Sequence, residues 1–170
     1  MYKRIILKLS GETLAPDASK PDAPRGVFDA QRVDAAAEMI LKLQARGIQV
    51  GVVIGGGNIW RGRFTKEMNG ANADQMGMLA TIINALCVQD AITRKGGRAV
   101  VFSAQEMNRF TRLYTRSAAL DAMNDGCVAL LSGGTGNPFF TTDTGAALRA
   151  AETYMAVAVI SGMVTLMGLF

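Results

Sequence analysis

The chain has 170 residues, 49% of them apolar and 19% charged, with 18 Lys and Arg against 14 Asp and Glu and a net charge of +4. That is the composition of a globular chain with a sizeable core, neither disordered nor fibrous. There is no histidine, which excludes Ser-His-Asp and Cys-His catalysis and histidine-ligated metals; two cysteines, Cys87 and Cys127, cannot build a disulfide framework or an all-cysteine zinc site.

Lys3–Leu9 (KRIILKL) reads as a strand, and its apolar run Ile5–Leu7 is too short for a signal peptide. Ala15–Gly26 carries Pro16, Pro21 and Pro24 and is a loop or insertion. Asp29–Arg46 is predicted to be a helix, because Val33, Ala36, Ala37, Ile40 and Leu41 recur at helical spacing. Asp29 is its expected N-cap and Gly47 its stop. Ile48–Ile54 is a second strand. A long helix follows over Ala73–Arg94, with Met76, Leu79, Ala80, Ile83, Leu86 and Cys87 on one face. Asp74 at its start has an N-cap as its structural reading.

Further strands are expected at Arg98–Phe102 and Cys127–Leu131, and helices at Tyr114–Asn124 and Gly145–Glu152. Thr153–Phe170 carries no charge. At the lower length limit of a membrane span, about 18 residues, it is diluted by Gly162 and Gly168 and reads as buried strand or helix. Strands alternating with helices predict an α/β fold, a mainly parallel sheet covered on both faces.

Three glycine-bearing segments each follow a predicted strand: Ser10-Gly11-Glu12, Gly55-Gly56-Gly57-Asn58 and Ser132-Gly133-Gly134-Thr135-Gly136-Asn137. In a parallel sheet they share the carboxyl edge, where such folds bind ligands. Glycine lets backbone N–H groups approach a phosphate closely. No G-x-x-x-x-G-K-[ST] and no complete G-x-G-x-x-G is present, so neither a P-loop nor a Rossmann dinucleotide site is supported. Lys8, at the end of a buried strand, needs a partner or a ligand. Asn137-Pro138-Phe139-Phe140-Thr141-Thr142-Asp143 joins hydroxyls, aromatic rings and a carboxylate in a way no core strand would. Cations are scattered without aromatic interleaving, which gives no platform for nucleic acid.

Four segments carry a specific resemblance: ILKLSGE at Ile6–Glu12, VIGGGNIWRG at Val53–Gly62, ADQMGMLATIINAL at Ala73–Leu86 and GGTGNPFFTTD at Gly133–Asp143. Through them residues 1 to about 152 resemble the bacterial uridylate kinases of the amino acid kinase family. The resemblance implies one domain over 1–170 with a three-layer αβα fold, a homohexamer, a cytoplasmic location, and UTP and GTP as effectors. It implies transfer of the γ-phosphoryl group of ATP, with Mg2+, to UMP in pyrimidine nucleotide synthesis, without nucleic acid or membrane. On the ATP side it implies Lys8, Leu9, Ser10, Gly11, Gly57 and Arg61, with Lys8 as the main cation on the transferring group. On the UMP side it implies Gly56, Asp74, Thr135, Gly136, Asn137, Pro138, Phe139, Phe140, Thr141 and Thr142. Asp143 would orient Lys8 or the metal.

The chain also departs from the family pattern. After Glu152 the family continues with K-[AG]-T-x-V-D-G-V-Y and a further stretch that contacts adenine and ribose, whereas this chain reads ETYMAVAVISGMVTLMGLF. The change reads as a frameshift or truncation that leaves the ATP half incomplete; sequencing the gene past Glu152 in all frames tests it. Ala15–Gly26 is proline-rich where the family's GTP-responsive loop lies, and Arg112-Leu113-Tyr114 replaces Glu-Pro-Tyr. Two other readings stand beside the kinase: a non-catalytic module that senses UMP or UTP, and another amino acid kinase, against which GNPFFTTD argues.

Overall fold

A computed structural model describes residues 3–19, 26–61 and 68–160, residues 156–160 by their backbone. Pro21, Pro24, Gly62 and the tail 161–170 lie outside the described residues.

The strands are β1 (Arg4–Leu9), β2 (Gln49–Ile54), β3 (Ala99–Ser103), β4 (Arg112–Leu113), β5 (Val128–Ser132) and β6 (Ala156–Ile160). The helices are α1 (Ala30–Ala45), α2 (Gly70–Arg94), α3 (Arg116–Asn124) and α4 (Thr142–Thr153), with a 3-10 turn at Gly11–Leu14. The described strands form one sheet in the order β4-β3-β5-β2-β1-β6, and every pairing is parallel.

Both faces of this sheet are covered, which makes three layers. Leu7, Leu9, Val50, Val52, Ile54 and Leu130 pack against Val33, Ala37 and Ile40 of α1 and Ala85, Val88 and Ile92 of α2. Ile6, Val53, Phe102, Ala129 and Leu131 point the other way, onto α3 and α4. Neighbours such as Leu7 and Ile6, or Val52 and Val53, thus serve opposite cores, as the two-residue period of a strand requires. Their strands therefore read as unbroken apolar runs.

The caps follow local chemistry. Asp29 accepts from the backbone N–H groups of Gln31 at 2.9 Å and Arg32 at 3.2 Å and starts α1. Gly47, at φ +77°, follows its end. Part of the uncharged tail is a strand: Ala156–Ile160 lies beside β1, with Ile5 paired to Ala156 and Leu9 to Ile160.

Three expectations are corrected and one strand is added. Helix α2 begins at Gly70, where Asn69 caps it through the Ala71 N–H at 2.9 Å, so Asp74 is not an N-cap. Its predicted apolar face is split: Met76, Leu79 and Ile83 are exposed, Ala80 is buried, and Leu86 and Cys87 pack half-buried against the core, while Ala85, Val88, Ala91 and Ile92 carry the contact with the sheet. Ala85 and Ala91 let α2 lie close to the strands beside the larger Val88 and Ile92, and Met76, Leu79 and Ile83 are left outside. The two-residue strand β4 was too short to leave a periodic signal. Tyr114 precedes α3, which Thr115 caps through the Ala118 N–H at 3.1 Å.

Among the described residues, one helix, Gly70–Arg94, is long and apolar enough to cross a membrane by length and composition. It is the α2 that packs against the sheet.

Candidate functional site

The strand order places β5, β2 and β1 next to one another. Because all run the same way, their carboxyl ends bring the three glycine loops to one edge.

Lys8 reaches that edge from β1. Its Nζ lies 2.8 Å from Oδ1 of Asp143, in the first turn of α4. The Lys8 side chain is 13% exposed and that of Asp143 64%, so the carboxylate is the wet partner and the ammonium the guarded one. The N-terminal end of α4 also favours an anion there. A pair this open adds little to stability; its consequence is that Lys8 is held at the mouth of the loops rather than folded back on the sheet.

The first two loops interlock. Ser10 caps the 3-10 turn, accepting from the Glu12 N–H at 3.4 Å. A Cβ on Gly11 would collide with the Gly55 carbonyl oxygen and with Oδ1 of Asn58, so only glycine fits. The guanidinium of Arg61 pairs with Glu12 of the first loop, while its Nε donates to the Gly57 carbonyl of the second at 3.0 Å. Leu9 differs from its neighbours: its side chain is buried in the core and only its backbone can serve a ligand. Gly56 sits against α2, where a Cβ would come within 2.9 Å of Ala80 Cβ and of the Gly77 carbonyl oxygen.

The third loop turns through left-handed residues at Gly133, Gly134 and Gly136. Its Gly133 N–H donates to Thr81 Oγ1 of α2 at 2.9 Å, and Gln105 Nε2 donates to the Gly136 carbonyl at 2.7 Å. Asn137 N–H donates to Thr135 Oγ1 at 3.2 Å. After Pro138 comes Phe139 at φ +69°, a costly conformation for an aromatic residue, with its N–H held by Asp74 Oδ2 at 2.7 Å. Phe139 is 77% exposed and Phe140 59%. Thr141 then caps α4 through the Thr144 N–H at 3.1 Å, and Thr142 opens the helix.

Between α2 and the second and third loops lies an open cavity of about 190 Å3, lined among others by Gly56, Asp74, Gly77, Asn137, Phe140 and Thr142. A larger cleft of about 940 Å3, around Lys3, Arg4, Gln49 and Arg116, lies by the opposite ends of the strands and contains none of the three loops. The small cavity is the better candidate, because Gly56 and Gly57 of the second loop, Gly134 of the third and the carboxylate-bearing Asp74 line it together.

The sequence-predicted residues fall into two groups. Lys8, Ser10, Gly11, Gly57, Arg61 and Asp143 gather around the first two loops and the start of α4. Gly56, Asp74, Asn137, Phe140 and Thr142 line the cavity, where Gly57 joins them and so belongs to both groups, with Thr135, Gly136, Pro138, Phe139 and Thr141 in the loop above it. Sequence reasoning missed Glu12, Gly77 and Thr81. Asp74, Gly77 and Thr81 recur at i, i+3 and i+7, a polar and small stripe that was legible in ADQMGMLAT. It also missed Arg149, which is buried in α4 and donates to Glu152 Oε2 at 3.0 Å and toward the Gly134 carbonyl at 3.4 Å. Its guanidinium stacks 3.9 Å from the ring centroid of Tyr114.

Among the described residues no three His, Cys, Asp or Glu side chains cluster as a ready-made metal cage. The carboxylates beside the first two loops are Asp143 and Glu12, each facing a cation, and Asp74 stands in the cavity wall. Such a donor set suits Mg2+, which keeps water and substrate phosphates as most of its ligands.

The amino acid kinase family model matches residues 3–160. The chain is 44% identical over 153 residues to a uridylate kinase of Bacteroides thetaiotaomicron and 45% identical over 155 residues to one of Bradyrhizobium sp. (strain ORS 278). Each alignment covers 89% of this chain, and the chain spans 62% of the length of each relative. Among solved structures, UMP kinase from Bacillus anthracis is similar at a TM-score of 0.86 and 35% identity, over 94% of this chain and 65% of that one. UMP kinase from Ureaplasma parvum is similar at 0.84 and 35%, over 94% and 66%.

Proposed function

The chain belongs to the amino acid kinase family, and from that premise we propose that it serves the transfer of the γ-phosphoryl group of ATP to UMP, giving ADP and UDP. The observation that carries this reading is the single edge on which Lys8, paired with Asp143, stands beside three glycine loops. Phosphoryl transfer needs positioned phosphates and charge neutralisation, and little covalent help from the protein. A site without histidine, rich in loop N–H groups and with a guarded lysine, has that character.

In this reading the ATP phosphates lie over Ser10, Gly11 and Gly57, with the Leu9 backbone and Arg61 beside them. UMP lies in the cavity, its phosphate toward Gly56 and its ribose toward the Asp74 carboxylate, under the Thr135–Thr142 loop. A UMP phosphate oxygen attacks the γ-phosphorus. The new O–P bond forms as the bond from that phosphorus to the bridging oxygen breaks, and the electron pair leaves on ADP. The attacking phosphate is largely dianionic at neutral pH and needs no general base. Lys8 stabilises the charge on the transferring group, and Asp143 holds Lys8 in place. Mg2+, arriving with ATP and met by Asp143 or Glu12, would neutralise the phosphates further.

The same reading extends to one kinase domain, a homohexamer, a cytoplasmic location, and UTP and GTP as effectors. Calorimetric titration with UMP, with AMP as control, joined to a UDP-forming assay with MgATP, tests it. Selective UMP binding with turnover is the expected result. UMP binding without turnover favours a regulatory module, and binding of neither nucleotide overturns the proposal.

A further inference from the structure

Asn84 stands in the middle of α2 and is fully buried. Asparagine is a poor residue for a helix interior, and a buried amide is costly unless its groups are paired. Both penalties would vanish with alanine or leucine. What the asparagine does instead is reach the loops: its Nδ2 donates to the Gly55 carbonyl at 2.6 Å and to Asn58 Oδ1 at 2.8 Å. The Asn58 Nδ2 answers by donating to Asn84 Oδ1 at 3.1 Å and to the Val27 carbonyl at 2.9 Å. All four amide protons of the two side chains have an acceptor, and both amide oxygens are used. The set is closed, so neither amide can flip without placing an oxygen against an oxygen.

Its location gives the set a consequence. Gly11 fits so tightly that an added Cβ would strike both Asn58 Oδ1 and the Gly55 carbonyl oxygen. The amide pair is therefore the floor on which the first loop rests, and it ties the second loop to α2 and to the segment before α1. We propose that Asn84, acting through Asn58, is a positioning residue that fixes the separation of the Ser10–Gly11 and Gly55–Gly57 loops. This rests on the reading of those loops as phosphate cradles. A shift of about 1 Å in such a cradle is enough to lower turnover about a hundredfold.

The test is amide hydrogen exchange, read residue by residue by NMR on the full chain, with UMP titration of the same samples. The reporters are the hydrogen-bonded loop amides of Thr13, Gly55, Ile59 and Trp60, and strand β3 is the internal reference. In Asn84→Ala these loop amides are expected to exchange at least tenfold faster than in the wild type while β3 is unchanged, and UMP affinity is expected to fall about tenfold. Asn58→Ala, which leaves α2 intact and alters only the half-buried end of the pair, is expected to act in the same direction. Unchanged loop exchange in both variants, or equal acceleration in the loops and β3, overturns the inference. A wild-type chain that binds no UMP overturns the proposed function instead, and the exchange experiment still decides the role of Asn84.

Discussion

Asp74 of α2 and Phe139 of the third glycine loop, 65 residues apart, are joined by a 2.7 Å hydrogen bond from the Phe139 N–H to Asp74 Oδ2. The bond fastens a left-handed aromatic residue at the roof of the cavity to a carboxylate in its wall. Left-handed backbone costs a non-glycine residue about 1–2 kcal/mol, so the loop conformation depends on such anchors. Asp74 Oδ2 holds the loop, and in the proposed function the same carboxylate meets the ribose of UMP. Asp74→Ala is expected to weaken UMP binding at least tenfold, measured by calorimetry. Phe139→Gly relieves the backbone cost and is expected to raise Tm slightly; an unchanged UMP affinity in Asp74→Ala would contradict the role given to this carboxylate.

Lys8→Ala is expected to lower turnover of UMP with MgATP by about 10^2–10^3, the size of loss typical when one preorganised charge on the reacting centre is removed. UMP affinity should change little, because Lys8 stands with the first loop and outside the lining of the cavity. Asp143→Asn, which keeps shape but removes the charge that orients Lys8, should fall between wild type and Lys8→Ala. Steady-state kinetics with both substrates varied separates the kcat and KM effects.

Gly11→Ala tests the interlock of the first two loops. The added methyl meets a backbone carbonyl and a hydrogen-bonded amide, neither of which can swing aside. Overpacking of this kind costs about 1–3 kcal/mol. Denaturant unfolding should show that loss, and nucleotide affinity should fall with it. Gly47→Ala, at a helix end with open space around it, is the control. It strains a positive φ but leaves the loops alone, so it should lower stability without touching nucleotide binding.

Tyr114 supplies a pH prediction. Burial, and then its hydrogen bond to Glu152 at 2.8 Å, push its phenol from the ordinary 10 up to about 12. A folded-state pKa above the unfolded one means the neutral phenol favours the fold. That contribution is complete below pH 10 and is lost as pH rises from 10 to about 12. Unfolding curves across this range should therefore fall more steeply for the wild type than for Tyr114→Phe. Absorbance at 295 nm should show one tyrosine ionising late.

Local chemistry in the sequence was enough for the β-α alternation, for the cap at Asp29, for the helix stop at Gly47 and for the placing of three glycine turns after strands. Each of these depends on a few neighbouring residues: a carboxylate able to accept from the next turn's N–H groups, a residue free to take positive φ, an apolar run long enough to cross a sheet. Tertiary structure decided which face of α2 is inside. Met76, Leu79 and Ile83 have the hydrophobicity for a core, but the sheet accepts the close approach of alanines, and the loops recruit Thr81 and Asn84. It also decided what Asp74 does, since a carboxylate near a helix start looks like a cap until Phe139 is brought to it. The pairing of Lys8 with Asp143 across 135 residues arises only when β1, β2 and β5 lie side by side, and the amide set at Asn58 and Asn84 closes only when α2 lies against the loop after β2. Hydrogen bonds and ion pairs act within about 3 Å, and the distances that put those partners in reach are set by sheet order rather than by spacing along the chain.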